Sequence, residues 1–181
     1  VGSVAQSATE NGLTVTALQT LGDKNGVYLL LSVQAPEGAA LSDDSGFEKL
    51  RVNIEGADGV SWSGGFMSGP LETASPSGTD DARYFELWLY NTQQADWSGK
   101  TITLDFGNLQ EDRGKLDMHT VTEGEWALSW PLSYSDQMRS FQPNGTYLVG
   151  GRAVTVDSVQ LSPLSLTFSL SGDGLESLID R

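Results

Sequence analysis

The stretch Arg83-Tyr84-Phe85-Glu86-Leu87-Trp88-Leu89-Tyr90-Asn91 decides the fold. Phe85, Leu87 and Leu89 occupy every second position, and Tyr84, Glu86, Trp88 and Tyr90 fill the positions between them. Side chains of an extended backbone alternate between two faces, so this pattern predicts a central strand with an apolar face and an aromatic one. The same period recurs on either side of it. Leu13, Val15 and Ala17 alternate with Thr14 and Thr16, and after Asp23-Lys24-Asn25-Gly26 come Val27, Leu29, Leu31 and Val33. Asn25-Gly26 supplies the positive φ that a tight hairpin needs. Further along, Val52 and Ile54, then Ile102, Leu104 and Phe106, then Trp126, Leu128, Trp130 and Leu132 each line one face of a strand-sized segment. No segment offers three turns of 3.6-residue periodicity, and only residues 174–181 could open a helix. The prediction is an all-β protein.

Composition agrees with that prediction and narrows the functional classes. Among 181 residues there are 21 glycines, and Ser, Thr, Asn and Asp are abundant, so turns are many and strands short. Residues 64–82, rich in Gly, Ser, Pro and Asp, and residues 110–124, largely polar, read as long loops. Asp and Glu outnumber Lys and Arg by 24 to 10, a formal charge of −14. Such a surface repels phosphate backbones and anionic lipid, which argues against nucleic acid and against membrane contact by this segment. The chain has no cysteine, which removes disulfides, thiolate metal sites and cysteine nucleophiles together. Its longest apolar stretch, from Val27 to Leu31, is far short of a membrane helix. Residues 1–11, polar and small, read as a linker, and a start at Val1 suggests a piece of a longer or processed protein.

Chemistry leaves few traces. His119 is the single histidine and lies in a polar segment, which excludes a His-rich zinc site and leaves a serine triad without a Gly-x-Ser-x-Gly elbow. Asp43-Asp44 and Asp80-Asp81 are acidic pairs able to offer oxygen to Ca²⁺, but neither continues into an EF-hand spacing, and solvated turns are the simpler reading. With 24 acids, carboxylate pairs at glycosidase distance arise by chance and select nothing. Asn144-Gly145-Thr146 matches a glycosylation sequon but is better read as turn chemistry. No catalytic residue, metal ligand or cofactor is therefore assigned.

An internal echo bears on organisation. Leu13-Thr14-Val15-Thr16-Ala17-Leu18-Gln19 parallels Val154-Thr155-Val156-Asp157-Ser158-Val159-Gln160, each followed by a turn and a second alternating strand. Either two amphipathic hairpins look alike because the pattern demands it, or a second related module begins near Phe141. About 40 residues are too few for an independent core, so the expected arrangement is a linker (1–11), a sandwich body (12–135) and a C-terminal hairpin segment (136–181) packed on the body.

Three stretches also carry a family resemblance. Asn11-Gly12-Leu13-Thr14-Val15-Thr16, with a turn at Asp23 and a strand ending Leu31-Ser32-Val33, resembles the opening of an extracytoplasmic domain-of-unknown-function family. That family occurs in membrane-anchored, anti-sigma-factor-like proteins of Gram-positive bacteria. Gly124-Glu125-Trp126-Ala127-Leu128-Ser129-Trp130-Pro131-Leu132 resembles one of its strands, and Val159-Gln160-Leu161-Ser162-Pro163-Leu164-Ser165-Leu166 another of its segments. The pieces span about residues 11–170 and hold no catalytic signature. The resemblance implies an Ig-like β-sandwich held outside the cell by a transmembrane helix upstream of Val1, so the expected fold is an Ig-like antiparallel β-sandwich with the C-terminal β-hairpin packed on it.

Aromatic side chains supply the functional lead. Tyr84, Trp88 and Tyr90 share the face opposite Phe85, Leu87 and Leu89, where they must be either covered by another segment or used. Trp126 and Trp130 share a face with Leu128 and Leu132 and are expected in the core, whereas Trp97, in a turn, is expected to be exposed. The expected ligand surface is thus Tyr84, Trp88, Tyr90 and Trp97. The expected function is a non-enzymatic extracytoplasmic binding or spacer domain whose partner is an unidentified protein or a cell-surface glycan. A carbohydrate-binding module using the aromatic face is the alternative, and a hydrolase with a carboxylate site the second alternative.

Overall fold

A computed structural model describes residues 2–114, 117–173 and 175. Among the described residues the regular structure is antiparallel β apart from one four-residue helix, α1 (Leu71–Ala74). It divides into two compact units, residues 1–135 and 136–181. The segment 174–181, which alone could open a helix by its sequence, lies outside the described residues except for Leu175.

The first unit is built around β2 (Leu13–Asp23), β3 (Gly26–Gln34) and β7 (Ala82–Tyr90). Flanked by β1 (Gly2–Glu10) and β6 (Ser61–Phe66), they make a five-stranded sheet in the order β1-β2-β3-β7-β6. Opposite it runs a sheet of β11 (Trp126–Pro131), β8 (Thr101–Phe106) and β5 (Leu50–Ile54). A smaller sheet of β10 (Met118–Thr122), β9 (Leu109–Asp112) and β4 (Ser45–Phe47) adjoins them. Val15, Val27, Leu29, Leu31 and Leu87 of the large sheet meet Ile54, Ile102, Leu104 and Trp126 of the second in one buried cluster. Each such side chain contributes about 1.5–3 kcal/mol by leaving water. This is the two-layer β-sandwich expected from the alternation, and Trp126 and Trp130 are buried in it as expected. The Trp126 indole Nε1 donates to the Leu13 carbonyl at 3.0 Å, so the largest core ring also ties the two sheets together.

Three segments differ from the sequence reading. Residues 1–11 are not a linker: β1 pairs with β2 from Gly2 to Glu10. Asn11 (φ 49°) and Gly12 (φ 82°) close the hairpin with the positive φ pair of a two-residue turn. The backbone ladder holds the strand, so it can be polar: hydroxyl contacts cross it, Ser7 with Thr16 at 2.9 Å and Thr9 with Thr14 at 2.8 Å, while Val4 and Ala8 rest on the core. Residues 110–124 are not a loop either; β9 and β10 form a hairpin there, exposed enough that no apolar alternation marks it. Residues 64–82 begin with the end of β6, contain α1 and reach the first residue of β7, and only the remainder is turn and coil.

The second unit is a sheet centred on β14 (Arg152–Leu161). β12 (Arg139–Phe141) and β13 (Gly145–Val149) pair with β14 in succession, and β15 (Leu166–Ser171) pairs with it as the expected hairpin. Where a single hairpin was expected there are therefore four strands, because 139–149 adds two short, largely exposed strands, interrupted as β1 is.

Candidate functional site

The outward face of β3, β7 and β6 gathers the aromatic side chains. Register places Tyr28 beside Trp88, Ser32 beside Tyr84 and Gly26 beside Tyr90, and on the other flank Ser63 beside Trp88 and Gly65 beside Glu86. The rings of Tyr28 and Trp88 lie 4.9 Å apart at 58°, a tilted pair in which each covers the other's flank. The Tyr28 hydroxyl donates to Glu86 Oε2 at 3.1 Å. Partial burial, and then the Glu86 carboxylate as acceptor and neighbouring negative charge, push the Tyr28 phenol up from 10.0 to about 12. The Tyr90 and Ser63 hydroxyls share a hydrogen bond of 2.8 Å. Tyr84 and Trp88 are half-buried, while Tyr90 remains 49% exposed. The face is thus partly shielded by its own neighbours rather than sealed. Beside Glu86, a Cβ built on Gly65 would meet nothing within 4 Å, so the surface stays open there.

Tyr90 also borders an open depression of about 490 Å³ at the end of the strands. Its rim includes Ser61, Glu55, Asp58, Asp96 and Lys100, and Trp97 forms part of its floor. Trp97 was expected to be exposed and is instead 6% exposed and part of the core cluster. The turn around it folds inward because Asn91 grips it: Nδ2 donates to the Ala95 carbonyl at 2.6 Å and Oδ1 accepts the Ala95 N–H at 3.2 Å. Trp97 therefore supports the depression from below and offers a ligand little of its ring. Of the four residues expected to form a ligand surface, three share one open face and the fourth meets Tyr90 at the depression.

Sequence reading missed Tyr28, Trp62 and Ser63. Tyr28 interrupts the apolar run from Val27 to Leu31 at an outward position, and that interruption was the available signal. Trp62, 38% exposed, sits on β6, the edge of the sheet.

The acidic pairs are engaged in structural contacts. Asp43 pairs with Arg83, a cation whose side chain is 6% exposed. The Thr79 hydroxyl first, then the Gln34 amide and the Ser77 hydroxyl hold the Asp81 carboxyl below its ordinary range. Among the described residues no group of three or more His, Asp or Glu side chains is placed to hold a metal ion. His119 lies exposed on β10, across from Glu111.

What the fold and face define is a β-sandwich domain with an open aromatic strip. No family model and no curated protein matches the chain. A solved structure does: a conserved domain protein from Bacillus anthracis, similar with a TM-score of 0.67 at 15% identity. The match covers 97% of this chain and 57% of that one, so this chain spans little more than half the length of its structural neighbour. At that identity the likeness is one of fold.

Proposed function

We propose that the chain is a non-enzymatic binding and spacer domain displayed on the extracytoplasmic side of a membrane-anchored, anti-sigma-factor-like protein, and that it takes an extended segment of a protein partner along β6. The observation that carries this reading is the state of that strand. Ser61-Trp62-Ser63-Gly64-Gly65-Phe66 forms the sheet edge, is exposed over its first four residues, and holds no charge and no proline. Edge strands of proteins that stay apart are ordinarily guarded by lysine, proline or cover, because an open row of N–H and C=O groups recruits another strand. Here the edge runs beside Tyr90 and Trp88 on the outward face and carries Trp62 on the opposite face, across from Leu89, so an added strand finds an aromatic ring on either side as well as main-chain pairing. The acidic rim at Glu55, Asp58 and Asp96 favours a basic residue where such a segment would leave the edge.

The family resemblance supports placement outside the membrane; among the described residues no helix is long and apolar enough to cross one. A cell-surface glycan is the second reading, favoured by the half-exposed Tyr90 ring. The 58° tilt between Tyr28 and Trp88 gives no flat platform across both rings, which is why the polypeptide reading is preferred. A hydrolytic role would require two rim acids to converge on one bond.

The two readings separate in one experiment. The protein is screened against a display library of extended peptides and against a glycan array, as wild type and as Trp62→Ala and Tyr90→Ala. Peptide binding that falls at least ~10-fold in both variants, with an unchanged unfolding midpoint, supports strand addition at β6. Glycan binding lost in Tyr90→Ala but kept in Trp62→Ala replaces it with the carbohydrate reading, and peptide binding indifferent to both substitutions removes the site.

A further inference from the structure

The second unit repeats the first three strands of the first unit at a constant spacing. The β1–β2 hairpin turns at Asn11 and Gly12, and the β13–β14 hairpin turns at Gly150 and Gly151, all four with positive φ. Ser7 pairs with Thr16, and 139 positions later Thr146 pairs with Thr155, each with its hydroxyls 2.9 Å apart. β2 has a bulge between Ala17 and Gln19 against β3, and β14 has one between Val156 and Ser158 against β15, again 139 positions on. Beyond the bulge the register stays matched: Thr20 with Leu29 becomes Val159 with Phe168, and Gly22 with Val27 becomes Leu161 with Leu166. The closing turn is kept as well. Asp23 Oδ1 accepts the N–H groups of Asn25 and Gly26, and Ser162 Oγ accepts those of Leu164 and Ser165. Even the break in β1 between Ser3 and Gln6 reappears as the interval separating β12 from β13. Generic amphipathic hairpins share alternation; they do not share a bulge, a hydroxyl pair, an interruption and two turns at one spacing.

Burial is where the two copies part. Val27, Leu29 and Leu31 are each at most 1% exposed, whereas their counterparts Leu166, Phe168 and Leu170 are 56%, 53% and 43% exposed. In the first unit that face is covered by the β5-β8-β11 sheet, and the free flank of β3 is taken by β7. In the second unit β15 is an edge among the described residues, exposed at every residue. At the two ends of the face, Arg152 and Gly172 replace Leu13 and Val33, while the positions between stay apolar. Exposed apolar side chains in a contiguous row belong to an interface.

We infer that the second unit is the first half of a second sandwich, and that later residues of the same polypeptide complete it. They supply a strand antiparallel to β15, in the role of β7, and a second sheet laid on Val156, Phe168 and Leu170. The protein is thus a tandem array of related modules with a period of 139 residues. The Bacillus anthracis structure, matched over 97% of this chain, has further length outside the match, as a chain carrying a completed second module would. This inference does not depend on what β6 binds.

Hydrogen exchange on the protein translated from the complete reading frame, compared with the 181-residue chain, tests it. The expected result is that the amides of Leu166, Phe168 and Leu170 exchange at least ~100-fold more slowly in the complete protein. Phe168→Glu should then lower the unfolding midpoint of the second module in the complete protein and leave that of residues 1–135 unchanged. A reading frame that ends at Arg181 overturns the inference, as do equal exchange rates in the two proteins. Protection arising in a dimer of the 181-residue chain overturns it too, because the covering partner is then a second copy.

Discussion

Tyr28 and Arg83 show how single polar side chains are held in an otherwise apolar sheet. Tyr28 keeps its proton because partial burial and the Glu86 carboxylate both oppose a phenolate, raising it to about 12. The folded protein therefore retains a proton that the unfolded chain gives up above pH 10.0, and stability falls as pH rises from there through about 12. Tyr28→Phe should flatten that alkaline fall, and unfolding midpoints of both proteins measured across this range check it. Arg83 is a buried cation whose guanidinium reaches Asp43, while its Nε has no hydrogen-bond partner among the described residues. Removing the carboxylate leaves the cation without its counter-charge, so Asp43→Ala should cost about 1.5–3 kcal/mol. Denaturant unfolding measures that loss. Nothing in the sequence joined Asp43 to Arg83: they lie on separate segments and meet only through the fold.

At the scale of elements, the outward aromatic face depends on close backbone approach between β6 and β7. A Cβ on Gly64 would overlap the Glu86 carbonyl oxygen and come within 2.6 Å of Leu87 Cδ2. Gly64→Ala should lift β6 from β7 at a cost of about 1–3 kcal/mol. The check is loss of amide protection along residues 61–66 with the β3–β7 pairing intact. Strands were legible where one face is apolar and buried. β3, β7, β8 and β11 all follow from period two, since burying one face forces the alternation. β1 and the β9–β10 hairpin were not, because hydroxyl pairs and exposed ladders leave no apolar period to read. The internal echo was visible in sequence but set two residues off the true spacing: Leu13 was aligned with Val154, whereas the strand register aligns it with Arg152. A slip of two keeps every side chain on its face, so alternation cannot detect it; turns and bulges can.

At the scale of the molecule, the chain is a sandwich followed by the opening strands of another sheet of the same design. The sequence by itself determined the class of fold, the inward faces of the main strands and the aromatic row on β7, because each follows from side chains alternating along one extended segment. Tertiary structure alone decided which strands are neighbours. It placed Tyr28 on Trp88, drew Trp97 under the depression instead of into solvent, left β6 as an open edge, and fixed the repeat spacing. The physical reason is that pairing across a sheet is a long-range choice made by backbone hydrogen bonds and core fit, which a period of two residues does not encode.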